Sequence, residues 1–116
     1  QEVIIDEFNF VPLGGTTGAE PPAYLRNRLC AAYPNPFNPN TTIRYSLEKG
    51  DFTELTVYDL SGRRIRTLAS GFMPAGDHEV SWNGLDDSGR PVASGVYFYR
   101  IRSGVFAETR KLVLLR

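Results

Sequence analysis

The sequence predicts an all-β fold, an antiparallel two-sheet sandwich of about seven strands. Three observations predict it. From Pro34 onward helix signals are scarce, because Gly and Pro punctuate the chain and β-branched and aromatic residues fill the intervals. Five Ser-Gly dipeptides, at 61–62, 70–71, 88–89, 94–95 and 103–104, mark tight turns at short spacing. Several intervals between them alternate apolar and polar residues, the period-2 pattern of a strand with one buried face.

The first element follows from YPNPFNPNTTIRYSL, Tyr33 to Leu47. Pro34, Pro36 and Pro39 lack amide donors and push Tyr33, Asn35 and Asn38 toward extended geometry. That segment is an irregular edge and not a central strand, with Phe37 turned inward as a plug. TTIRYSL then sets Ile43, Tyr45 and Leu47 on one face and Thr42, Arg44 and Ser46 on the other. ELTVYDL (54–60) and RRIRTLA (63–69) flank Ser61-Gly62 as a hairpin. GDHEVSW (76–82) places His78, Val80 and Trp82 on one face before the turn dipeptide Asn83-Gly84, and NGLDDSGRPVASG is a loop. GVYFYRIRS (95–103) and FAETRKLVLLR (106–116) form a last hairpin around Ser103-Gly104. Its first strand is apolar on both faces, so it belongs in the middle of a sheet. The strand count and turn spacing define an immunoglobulin-like sandwich. The Cys…Trp…Cys pattern of antibody domains is missing, since Cys30 is the only cysteine.

Residues 1–27 differ in character from the domain expected over 28–116. EVIIDEFNFV carries a strand pattern, and PLGGTTGAEPPAY has the Gly, Pro and Thr content of a tether. A lone strand cannot offset its ordering entropy, so Val3 to Val11 must pack on its own domain, a preceding domain or a neighbouring molecule. The chain opens on Gln1 and not Met, which implies processing or a longer parent protein.

Composition narrows the function classes. At 116 residues the chain holds one domain with a modest core. Thirteen basic and thirteen acidic residues cancel, so no global field draws it to nucleic acid or to an anionic membrane. No apolar run approaches the ~18 residues of a spanning helix, and no membrane insertion is expected. Cys30 is read as a small buried or half-buried residue. His78 is the only histidine and lies in an alternating strand with no Ser or Cys motif nearby, which favours a structural histidine over a catalytic base. Neither zinc-type Cys/His spacing nor a phosphate-binding Gly loop occurs, so an enzyme is not expected and no metal or cofactor is implied. Asp86-Asp87 with Asn83 suits turn capping better than calcium, which wants a spaced series of carboxylates. The strand aromatics Tyr45, Tyr58, Trp82, Tyr97, Phe98 and Tyr99 are expected in the core. Arg63, Arg64, Arg66, Arg100, Arg102, Arg110 and Arg116 are read as a solvated face that discourages edge pairing.

Four blocks carry a more specific resemblance: YPNPFNPNTTIRYSL, LTVYDLSGRRIRTL, GDHEVSWNGLDDSGRPVASGVYFYRI and TRKLVLLR. Together, over about residues 30–116, they resemble the C-terminal sorting domain of type IX secretion cargo, which is similar to the immunoglobulin-like domain of the flagellar hook-capping protein. The resemblance implies a non-enzymatic module on an exported protein, secreted to the extracellular space or the outer cell surface. Its partner would be the outer-membrane secretion machinery, which recognises it and then cleaves or retains it. In the family the signal lies in the last strands, which here are Gly95, Tyr97, Lys111, Leu112, Val113, Leu114 and Leu115. A tight turn, a core tyrosine and a closing strand would place the same residue types there. The departure from the pattern is the short stretch ahead of the motif. It raises an alternative, a self-assembling extracellular filament in which strand 3–11 is donated to a neighbouring sandwich through Ile4, Phe8 and Phe10.

Overall fold

A computed structural model describes residues 26–116. Seven strands follow in order: β1 (Arg28–Leu29), β2 (Thr41–Leu47), β3 (Asp51–Asp59), β4 (Arg64–Met73), β5 (Gly76–Trp82), β6 (Gly95–Ser103) and β7 (Phe106–Leu114). They form a three-stranded sheet in the order β1-β2-β5 and a four-stranded sheet in the order β4-β3-β6-β7. Every strand pair is antiparallel. The described residues contain no helix, and the expected all-β sandwich is what they form. The donor strand expected over 3–11 lies outside them.

Alternation explains which side chains the two sheets press together. β2 sends Ile43, Tyr45 and Leu47 inward, β3 sends Leu55 and Val57, and β6 sends Tyr97, Tyr99 and Ile101. Leu29, Phe37, Trp82, Leu112 and Leu114 complete a single core. Each such large apolar side chain contributes about 1.5 to 3 kcal/mol on burial before ordering costs. A buried polar pair, Thr53 and Ser103, sits directly across β3 and β6 and satisfies itself with a 2.9 Å hydroxyl contact. As its two-sided apolarity requires, β6 is interior to its sheet.

Not every strand aromatic is core. Tyr58 and Phe98 face each other on the outer surface of the four-stranded sheet and are only half-buried. Their neighbours Val57, Tyr97 and Tyr99 already occupy the inner face, and the pleat turns the alternate residues outward.

Two connections use one device. Asp59-Leu60-Ser61-Gly62-Arg63 and Asp86-Asp87-Ser88-Gly89-Arg90 share a D-x-S-G-R pattern. In each, the leading Asp Oδ1 accepts from the Ser amide, the Ser hydroxyl and the Arg amide at 2.6 to 3.0 Å. Each glycine has a left-handed φ, 87° at Gly62 and 86° at Gly89. The acidic loop thus holds its Asp86 as a turn cap. Asp59 is held below the usual carboxylate range first by the Ser61 hydroxyl, and Asp86 first by the Arg90 amide. Folded values below 3.8 mean that these turns stabilise the fold fully above that pH and lose their contribution as pH falls through the folded values. Denaturant midpoints should therefore decline on acidification below about pH 4, and Asp59→Asn with Asp86→Asn should flatten that decline.

Candidate functional site

The terminal hairpin collects all the residues that sequence reasoning nominated, apart from the amino-terminal ones. β6 and β7 pair from Gly95 with Leu114, through Tyr97 with Leu112 and Phe98 with Lys111, to Ser103 with Phe106. Alternation then splits the nominated set. Leu112 and Leu114 are fully buried and Tyr97 nearly so, whereas Lys111 and Leu115 are exposed and Val113 is half-buried on the outer face. Gly95 opens β6, half-buried, opposite the end of β7.

β7 is an edge strand by sheet order, yet its edge is closed over the C-terminal end, Lys111 to Leu115. The proline-rich segment lies along its end: the Phe37 amide donates to Val113 O and the Leu115 amide to Phe37 O, each at 3.0 Å. Asn35 imitates a strand residue with its side chain, donating to Lys111 O at 3.3 Å and accepting from the Val113 amide at 2.9 Å. Farther down, the Leu29 amide donates to Glu108 at 3.2 Å and Arg110 Nε donates to Leu29 O at 2.7 Å. Arg110 is thus a bridge between the two sheets and not part of a solvated face. Arg116 likewise anchors the chain to the 83–94 loop, donating to Val92 O at 2.7 Å and Gly84 O at 2.8 Å. Asn35→Ala should cost about 1 kcal/mol and speed amide exchange at Val113, measured by hydrogen exchange.

Two tyrosines tie the hairpin to the rest of the domain. Tyr97 donates its hydroxyl to Ala93 O at 2.6 Å and Tyr99 donates to Cys30 O at 2.7 Å. Burial pushes both phenols above 10.0, as it does Tyr45. A folded value above the unfolded one means stability is intact below pH 10 and is lost as pH rises through the folded value. The melting temperature should therefore drop above about pH 10, and Tyr99→Phe should weaken that dependence.

Elsewhere the chemistry is self-satisfied. His78 lies 5.2 Å from the Tyr45 ring in a stacked arrangement, and its Nε2 is 2.7 Å from Pro74 O. A shallow depression on the outer face of the three-stranded sheet pairs Arg44 with Glu79 at 3.1 Å and Ser46 with Asp77 at 2.6 Å. Among the described residues no three His, Cys, Asp or Glu side chains come together to hold a metal.

A two-sheet antiparallel sandwich with this strand order is an immunoglobulin-like domain. Residues 39–104 match the model of the FlgD Ig-like domain, more than half of the chain, and the chain belongs to that family. The match spans β2 to the turn after β6 and stops short of β7. No curated protein matches the chain. Among solved structures, dimeric latent PorU from Porphyromonas gingivalis is similar at 17% identity and TM-score 0.62, over 80% of this chain and 10% of its own. PorZ of the same organism, described as an essential surface component of the type IX secretion system, is similar at 25% identity and TM-score 0.52, over 78% of this chain and 11% of its own. FlgD from P. aeruginosa is 23% identical with TM-score 0.52, over 64% of this chain and 57% of its own. The chain thus spans about a tenth of the PorU and PorZ chains. At their identities PorU and FlgD share the fold.

Proposed function

We propose that the domain is a non-catalytic sorting module that directs export through type IX secretion machinery and displays its protein at the outer cell surface. The observation that carries this reading is the likeness to PorZ, a surface component of that system, over 78% of the chain. The hairpin geometry adds how recognition would work. Asn35 and Phe37 close the edge of β7 from Lys111 to Leu115, so a receptor cannot add a strand along that stretch without displacing them. It reads instead the outward side chains Lys111, Val113 and Leu115. Tyr97, Leu112 and Leu114 hold that surface in shape from within, and Gly95 opens the strand that backs it.

Residues 26–116 fused to a reporter, in a bacterium that has this secretion system, test the proposal. The reporter is expected at the cell surface or in the medium, and removal of Lys111 to Arg116 should leave it intact in the periplasm. A full fusion retained in the periplasm would refute the reading.

A further inference from the structure

The outer face of the four-stranded sheet carries more cations than carboxylates. Register places Arg64, Tyr58, Phe98 and Lys111 in one row across all four strands. On the same face Arg100 stands opposite Thr56 and Thr109, and Arg102 opposite Glu54 and Ala107. Arg64 reaches Asp87 at 3.8 Å, while no carboxylate among the described residues lies within ion-pair distance of Arg100, Arg102 or Lys111. Half-buried Tyr58 and Phe98 share the row of Arg64 and Lys111, and half-buried Val96 and Val113 form the next row. The outer face of the other sheet differs, because its Arg44 is already matched by Glu79.

The same chain carries the complementary charge. Residues 1–25 contain Glu2, Asp6, Glu7 and Glu20 and no Lys or Arg, whereas 26–116 hold thirteen basic residues against nine acidic. We propose that residues 2–10 of this chain bind in cis across the outer face of the four-stranded sheet. With the segment extended, Glu2 and Asp6 then meet Arg100, Arg102 and Lys111, and Ile4, Phe8 and Phe10, on the same face, meet Tyr58, Phe98, Val96 and Val113. Connectivity permits it. The described chain begins at Arg26, two residues before β1, and Leu29 of β1 is bonded to Glu108 and Arg110 of β7, the strand that bears Lys111. The residues between Phe10 and Arg26 reach up to about 3.3 Å each, and a four-stranded sheet is only about 15 Å across. A tether of this length gives an effective concentration on the order of millimolar. Docked there, the segment covers Lys111 and Val113 of the surface assigned to sorting.

Amide NMR of the full chain tests the proposal without reference to export. Neutralisation by Glu2→Gln and Asp6→Asn together should shift the resonances of Tyr58, Phe98, Arg100, Arg102 and Lys111. Raising salt on the unsubstituted chain to about 0.5 M should reproduce those shifts, because screening acts on exposed pairs. Arg100→Gln with Lys111→Gln should in turn move resonances of Glu2 to Phe10. The shifts should not change on tenfold dilution. Perturbations confined to the three-stranded sheet, none at Tyr58 and Phe98, or shifts that vanish on dilution would each overturn docking in cis.

Discussion

Trp82→Ala should destabilise the domain by about 3 to 5 kcal/mol, a large part of the stability expected of a domain this size. Trp82 is fully buried, with its ring centre 5.4 Å from Phe37 and 5.5 Å edge-on from Tyr97. It therefore links the proline-rich segment, β5 and β6 in one contact. Truncation leaves a cavity among rings that cannot collapse into it, and also strands Leu85 O, which accepts the indole N–H at 2.8 Å. Trp82→Phe should lose less, because a ring remains and only the hydrogen bond and part of the volume go. Urea unfolding followed by circular dichroism measures both, and a loss under about 1 kcal/mol for the alanine variant would contradict this account of the core.

Leu114→Ala and Leu112→Ala should each cost about 2 to 5 kcal/mol, while Lys111→Ala and Leu115→Ala change stability by less than about 0.5 kcal/mol. The difference comes from alternation within one strand: Leu112 and Leu114 are sealed from solvent, and Leu115 is 54% exposed. These four variants separate folding from recognition when melting and export are measured side by side. Loss of export in the stable Lys111 and Leu115 variants would mark those side chains as read by a receptor. If export fails only in the two that melt early, the outward residues carry no signal.

Local pattern made most of the strands legible. TTIRYSL and GDHEVSW alternate because one face of each meets the core, and that period survives in the sequence without any knowledge of partners. The inward turn of Phe37 was legible from a lone aromatic amid prolines. What local pattern could not show was contact between distant residues. Asn35 bonds to Val113 and Arg110 to Leu29, 78 and 81 residues apart, and neither leaves a periodic trace. β1 is two residues long, too short to alternate. Tyr58 and Phe98 misled because aromatic character signals burial only when the pleat agrees, and the pleat is set by neighbours that compete for the same face. The D-x-S-G-R pair was a missed signal that the sequence does contain.

The closure of β7 by Phe37 also determines how the domain bears tension. Phe37 and Leu114 form a parallel bridge. The chain leaves this junction backward through Asn35 toward Arg26 and forward through Leu115 toward Arg116. Pulling those two ends apart slides the paired segments along their length. The two Phe37 backbone bonds and the two Asn35 side-chain bonds are then strained together. A hairpin pulled from its open end would instead lose its bonds one after another. Rupture under load is set by the barrier to unfolding and not by equilibrium stability, so four small bonds in shear resist force out of proportion to their thermodynamic worth.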